Sequence, residues 1–337
     1  MILSVCIPTY NRLPELKINL KFLIQEVLSN YNDDVEIIIS DNYSTDGTYE
    51  YINTLANQYP FIISHTNPSN IGMVPNWKKS ISLARGKFVW LLGSDDIVIP
   101  GKFSLLKDAI YKYPEVCLFL LNNKNWNPED EEFVNFDENI FIEAETHIKN
   151  SNDEYVPMIS RLLGKREDQF TPIYLSVMKK ADWLNALDLY DLDKPVFSTL
   201  ANCAPQAVYI PEQMFNKEGY YINTPLVLAS YNVGWKRYFS LYYCYYLVYL
   251  HGIWLKAGGD RLVVNESLKS LINNKLKRHH YRDLFVYNRD NLKYISFIEY
   301  LKLVYQYPKT YSNIAYIFLL NFIYLVKKYT KNLKYKG

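Results

Sequence analysis

The 337-residue chain is short of glycine, with 12, and none of them builds a G-x-G-x-x-G turn or a G-x-x-x-x-G-K-[ST] loop. Both devices cradle phosphate on backbone N–H groups, so Rossmann-type dinucleotide binding and P-loop chemistry are unsupported, and any phosphate must be held otherwise. A G-x-S-x-G elbow is missing too, which leaves serine-hydrolase catalysis without a basis. The four cysteines, Cys6, Cys117, Cys203 and Cys244, include no C-x-x-C pair, and the five histidines are scattered apart from His279 and His280. No zinc or disulfide framework follows, and the cysteines read as reduced core residues of a cytoplasmic protein. The formal net charge is only +2, which argues against a dedicated nucleic-acid binder.

Long apolar runs are also wanting. Met1 to Ile7 is too short, and lacks the basic leader, for a secretory signal. Ile314 to Val326 would span about 20 Å as a helix, short of a bilayer core of about 30 Å. What is abundant is aromatic: 32 tyrosines, with Phe, Trp and Tyr together at 16%. AT-rich codon usage accounts for the overall size of that excess, since Asn, Lys and Ile are abundant too. Its placement carries more, because the densest clusters, Tyr238 to Tyr249 and Tyr311 to Tyr329, fall in the last third and mark an acceptor-side and membrane-facing region. From Lys275 onward there are thirteen Lys or Arg against three acids, so a mildly acidic body ends in a basic tail. An apolar, Tyr-bearing helix trailed by Lys327, Lys328, Lys331, Lys334 and Lys336 is the pattern of peripheral attachment to an anionic membrane surface.

The first hundred residues alternate. Apolar runs at Ile2–Ile7, Val35–Ile39, Phe61–His65 and Phe88–Leu92 are separated by helical periodicity over Leu13–Ser29 and around Pro75–Ala84. That order predicts an α/β fold with a mainly parallel central sheet flanked by helices. Ligands bind such sheets beyond the carboxyl ends of the strands, and the polar residues gather there: Thr9 to Arg12, then Asp41, Asn42, Ser44 and Asp46, then Ser94, Asp95 and Asp96. The Asp95–Asp96 pair suits a hard divalent cation, whose other positions go to water and substrate phosphate.

Four ordered segments, LSVCIPTYNR, VEIIISDNYSTDGT, NPSNIGMVPNW and ARGKFVWLLGSDD, resemble the nucleotide-sugar-binding half of family 2 glycosyltransferases of the bacterial surface-polysaccharide type. The resemblance covers about residues 1–105. It implies the A-type glycosyltransferase fold and an inverting, Mn2+- or Mg2+-dependent transfer from a nucleotide diphosphate sugar, with UDP or dTDP favoured. By position, Pro8, Thr9 and Tyr10 would line the nucleotide pocket, and Asp41 would accept a hydrogen bond from the base. Asn70, Gly72 and Asn76 would lie on the donor side, Asp95 at the ribose or metal edge and Asp96 on the metal. The sequence departs from the family's acidic metal motif at its first position, which is Gly93.

The acceptor side is read as residues 106–234, completing a catalytic domain of residues 1–234, and residues 235–337 as a helical, basic extension that associates with membrane. An inverting transfer needs a carboxylate base. Asp191 is taken for it, with Asp188, Asp193 and Asp168, beside Glu167, as alternatives. Gln206 is either a sugar contact or a polar residue in a mixed helix, and the acidic stretch following Asn127 a solvated excursion. The expected acceptor is a glycan or a polyprenyl-diphosphate-linked sugar at the inner face of the cell membrane, as in O-antigen or capsule assembly. The competing readings are a nucleotidyltransferase, for which an early basic phosphate loop is missing, and a non-catalytic, membrane-attached nucleotide or carbohydrate binder.

Overall fold

The computed structural model describes residues 1–29, 33–127, 133, 135–147, 152–165, 170–230 and 236–305, with isolated positions 307, 312, 315, 316 and 319. The first half follows the alternation: β1 (Leu3–Thr9), α1 (Leu13–Ser29), β2 (Val35–Asp41), α2 (Thr48–Gln58), β3 (Ile62–Thr66), α3 (Met73–Leu83) and β4 (Phe88–Leu91). Strands β3, β2, β1 and β4 lie side by side in that order, all parallel. Every residue of β2 is buried, because helices cover both faces of a parallel sheet and its strands cannot alternate between core and solvent. Glu36 in β2 is fully buried as well. Its carboxylate is matched by Ser4 Oγ at 2.7 Å and by the Arg85 backbone N–H and Nε at 2.6 and 2.7 Å, which ties β1, β2 and the approach to β4 together. On α1 the stripe Leu16, Leu20, Leu23, Ile24 and Val27 faces inward, as its three- and four-residue spacing requires. Helix α2 was not read from the sequence; only Thr48 and Ile52 are buried along it, so its apolar stripe is too thin to register.

Beyond β4 the sheet becomes mixed. After β5 (Ile97–Val98), α4 (Phe103–Lys112) and β6 (Leu118–Trp126) come the short β7 (Glu145–Thr146) and β8 (Glu154–Val156), then β9 (Ser176–Lys179) and β10 (Gly219–Ser230). The order continues β4-β9-β6-β10-β5, with β9 antiparallel to both neighbours and β6 parallel to β10. The acidic stretch following Asn127 returns through β7, which pairs with β6. Most of its described residues are exposed, as in a solvated excursion, while Phe133, at 2% exposure, joins Trp126, Phe136 and Phe141 in a small second core against Phe22 of α1.

The helices after residue 236 share the main core with the sheet. Helix Leu247–Lys256 is almost wholly buried, and Trp254, at 0% exposure, meets Phe170 edge-on. Among the described residues no helix is long and apolar enough to cross a membrane. The membrane-surface expectation rests chiefly on Tyr311 and on residues 320–337, including Lys327, Lys328, Lys331, Lys334 and Lys336, which lie outside the described residues. Cys6, Cys203 and Cys244 are buried and all four cysteines are free.

Candidate functional site

A cavity of about 600 Å3 opens where β1 and β4 end, and its first wall is the turn that each strand feeds. Pro8, Thr9, Tyr10 and Arg12 come from the end of β1 and the turn after it, and Gly93, Ser94, Asp95 and Asp96 from the turn after β4. Asn42, Asn70, Met73, Asn76 and Trp77 close the side beside β2 and α3. Thr9 is 3% exposed and its hydroxyl has no hydrogen-bond partner. A buried hydroxyl left unmatched is uncommon and costs stability, so this one on a cavity wall points to a polar ligand.

The asparagines at the end of β2 and before and within α3 are joined in one network. Asn42 Nδ2 donates to Asn70 Oδ1 at 2.8 Å and to the Gly72 carbonyl at 3.2 Å, and Asn67 Nδ2 donates to Asn42 Oδ1 at 3.1 Å and Asn76 Oδ1 at 2.8 Å. Asn76 also exchanges hydrogen bonds with Ser40 in β2. Asn70 and Asn76 therefore reach the cavity as parts of a fixed frame, whereas Gly72, at φ 93°, precedes α3 and is not among the cavity-lining residues. Asp41 is buried but also off the cavity wall, and its carboxylate accepts from the Ser44 N–H and hydroxyl. Burial pushes its pKa up, against the pull of those bonds.

The acidic pair has a different setting. Asp96 is buried, and burial followed by the charge of Asp95 raises its pKa well above the carboxylate range. Asp95 is held by Arg12 at 2.6 Å; burial weighs against the guanidinium's charge, but Asp95, Glu15 and Asp96 outweigh it and its pKa rises. Asn19, fully buried on α1, donates to the carbonyls of Gly93, at 3.0 Å, and Asp96, and so clamps this turn to the helix. A Cβ placed on Gly93 would stand 2.5 Å from Asp96 Oδ2 and 2.9 Å from Asp95 Oδ1. Both carboxylates therefore converge on the space that glycine leaves free. Two hard oxygen donors of like charge, one deeply buried, suit a Mg2+- or Mn2+-class cation that completes its shell with water and phosphate oxygens. Among the described residues no third His, Cys, Asp or Glu joins them.

Among the described residues the rest of the lining carries no charged side chain. Thr171 to Tyr174 belong to it, with Val196, Phe197, Cys203, Ala204 and, from the C-terminal helices, Tyr238, Phe239, Tyr242 and Tyr243, whereas Ser230 stands beside the acidic turn, its N–H donating to Asp96 Oδ1 at 3.4 Å. Phe170 and Phe197 hold left-handed backbone, at φ 70° and 64°, a strained state for bulky residues that clusters at functional sites. Phe170 is held by its buried ring, and Phe197 by Tyr246, whose hydroxyl donates to its carbonyl. Gln206 is fully buried and not among the lining residues; its amide donates to the Thr171 carbonyl at 2.6 Å, supporting the wall from behind.

None of Asp188, Asp191 and Asp193 lines the cavity. Asp188 pairs with Lys78 on the surface, and Asp191 with Lys194 at 3.0 Å, which lowers its pKa. Glu167 and Asp168 lie outside the described residues, three and two positions before Phe170. Sequence reasoning assigned no role to Arg12, Asn19 or Asn42, and it read the aromatic cluster Tyr238 to Tyr249 as an acceptor-side and membrane-facing region without singling out a residue. Arg12 and Asn42 stood among the strand-end polar residues it noted. Asn19 offered the signal of one polar residue inside an apolar helical stripe.

Residues 4–158 match the profile described as Glycosyl transferase family 2. Over 240 residues the chain is 32% identical to the abequosyltransferase RfbV of Salmonella typhimurium, covering 68% of this chain and 66% of that protein. It thus spans just under two thirds of that relative's length. The crystal structure of S. aureus TarS 1-349 in complex with UDP-GlcNAc superposes with a TM-score of 0.55 at 16% identity, over 93% of this chain and 89% of that one. The mannosyltransferase PcManGT of Pyrobaculum calidifontis, in complex with GDP-Man and Mn2+, superposes with a TM-score of 0.52 at 15% identity, over 97% of this chain and 87% of that one. At such identities the two structures establish a shared fold.

Proposed function

The chain belongs to glycosyl transferase family 2, and from that premise we propose that it moves a sugar from a nucleotide diphosphate donor to a glycan or lipid-linked acceptor. The observation that carries the reading is the cavity at the strand ends, where the unmatched Thr9 hydroxyl and the converging Asp95 and Asp96 carboxylates share one wall. Thr9 and Asn70 would bond the nucleotide, with the exposed Tyr10 ring beside its base. Asp95 and Asp96 would hold a divalent cation, which supplies positive charge to the diphosphate as the glycosidic bond breaks. Arg12, on the same wall and paired with Asp95, adds a fixed positive charge facing the leaving group. The TarS complex with UDP-GlcNAc and the PcManGT complex with GDP-Man and Mn2+ support a nucleotide-sugar donor and a cation. The likeness to an abequosyltransferase supports bacterial surface-polysaccharide assembly as the setting.

An inverting transfer requires a base to take the acceptor hydroxyl's proton on the face opposite the diphosphate. Asp191 is committed to Lys194 off the cavity wall, and we assign the base to Asp168, three positions before the cavity residue Thr171.

The test is a thermal-shift panel of UDP-, dTDP-, GDP- and CMP-sugars with and without manganese, because a true donor binds the folded state and raises its stability. One nucleotide sugar should stabilise the protein only with the cation, and Asp96→Ala should remove that increment; an undiminished shift in the variant would retire the cation assignment. Asp168→Asn should keep donor binding and lower transfer by about two to four orders of magnitude. Asp191→Asn should transfer normally, and the reverse pattern would return the base to Asp191.

A further inference from the structure

The uncharged wall of the cavity owes its chemistry to the C-terminal helices. Tyr238, Phe239 and Tyr243 line it as half-buried rings, and the buried Tyr242 shares a hydrogen bond with the Thr171 hydroxyl. These rings are braced: Tyr238 stacks on Phe197 with centroids 4.5 Å apart and planes 10° from parallel, and Phe239 lies 4.5 Å from Tyr243. Behind them the imidazole of His280 stacks on Tyr243 at 5.4 Å, with planes 4° apart. Phe239 and Tyr243 are four residues apart, so they share a helix face at the start of a π turn, Tyr242–Tyr246. Turns of that kind recur at functional sites.

Charge is divided sharply across this cavity. Arg12, Asp95 and Asp96 stand on the strand-end wall, and among the described residues no charged side chain lines the wall facing them. A diphosphate belongs with the first wall. Fixed flat rings match the apolar C–H face of a pyranose. A phosphorylated or carboxylated unit would instead bring an unmatched charge against carbon.

Resting on the transferase reading above, we propose that Tyr238, Phe239 and Tyr243 form the acceptor subsite, and that it takes a neutral pyranose unit stacked by its apolar face. The extension is then part of the reaction chamber, and it sets acceptor choice while the strand-end turns set the donor.

Saturation-transfer NMR on the full chain tests this, with methyl α-D-mannopyranoside, methyl α-L-rhamnopyranoside and methyl β-D-galactopyranoside as neutral probes and glucose 1-phosphate as the charged one. At least one neutral glycoside should take up saturation through its ring C–H protons, and glucose 1-phosphate should bind less well. Phe239→Leu and Tyr243→Leu keep apolar bulk but remove the flat face; each should weaken that glycoside by about three- to tenfold, with Tyr243→Phe restoring most of it. The nucleotide-sugar thermal shift should be unchanged in both leucine variants. Silence from all three glycosides, binding of glucose 1-phosphate that is equal or better and is lost in the leucine variants, or unaltered glycoside binding by those variants overturns the subsite. Ring-dependent glycoside binding without a thermal shift from any nucleotide sugar would instead sink the transferase reading and leave the subsite in place.

Discussion

At Gly93 the decisive property is the side chain that is not there. A Cβ would stand 2.5 Å from Asp96 Oδ2 and 2.9 Å from Asp95 Oδ1, so even a methyl group must displace one of the carboxylates. Gly93→Ala is therefore expected to lose the manganese-dependent part of nucleotide-sugar stabilisation while its ligand-free melting temperature moves only by a few degrees. Gly93→Asp, which restores an acid at the motif's first position, should lose it as well rather than bind the cation more tightly. A donor shift that survives either change would mean that the carboxylates do not act across that space. The departure from the family motif is visible in the sequence, but its consequence is steric and needed the positions of both carboxylates.

Among the elements, helix Leu247–Lys256 shows why the last third was hard to read. It is apolar nearly all round, a pattern that a core helix and a lipid-facing helix share, and periodicity cannot tell them apart. The structure buries it: Trp254 is 0% exposed and packs on Phe170, one residue before Thr171 on the cavity wall. Trp254→Ala should cost about 3–5 kcal/mol, read as a lower urea midpoint, and should also loosen the Phe170–Thr171 turn, read as faster amide exchange there. A variant as stable as the parent would mean that the helix is peripheral to the fold. The strand-end turns were easier, because each is local: Thr9, Tyr10, Asn70, Asn76, Asp95 and Asp96 reach the cavity from short segments next to the strands that announce them. Asp41 and Gly72 come from the same segments but are not among the residues that line it, and only the closed loops decide which residues of a segment reach the cavity.

For the molecule as a whole, the packing of residues 236–305 has its own pH signature. Burial, and then the charge of His279, push His280 down to about 4 from an ordinary 6.5. A histidine kept neutral by folding binds its proton more readily in the unfolded chain. Its contribution is therefore complete above pH 6.5 and is lost as pH falls toward 4. Because the ring is partly exposed, the effect is modest after solvent screening. Stability measured by urea unfolding should decline across that window, and His280→Phe, which keeps a ring against Tyr243, should flatten the decline. An unchanged acid limb in that variant would assign it to the buried carboxylates instead.

The sequence by itself determined the parallel half of the sheet, the family and the polar turns that line the cavity, because strand alternation, helical stripes and turn chemistry all act over a few neighbouring positions. Tertiary structure decided what depends on distance through space. It joined α1 to the acidic turn through Asn19, paired Arg12 with Asp95, left Asp191 on a surface ion pair, and brought aromatic rings from residues 238–243 across the cavity from a strand that ends at Thr9. Contacts between segments so far apart in the chain arise from the closure of one shared core, and no local pattern encodes them.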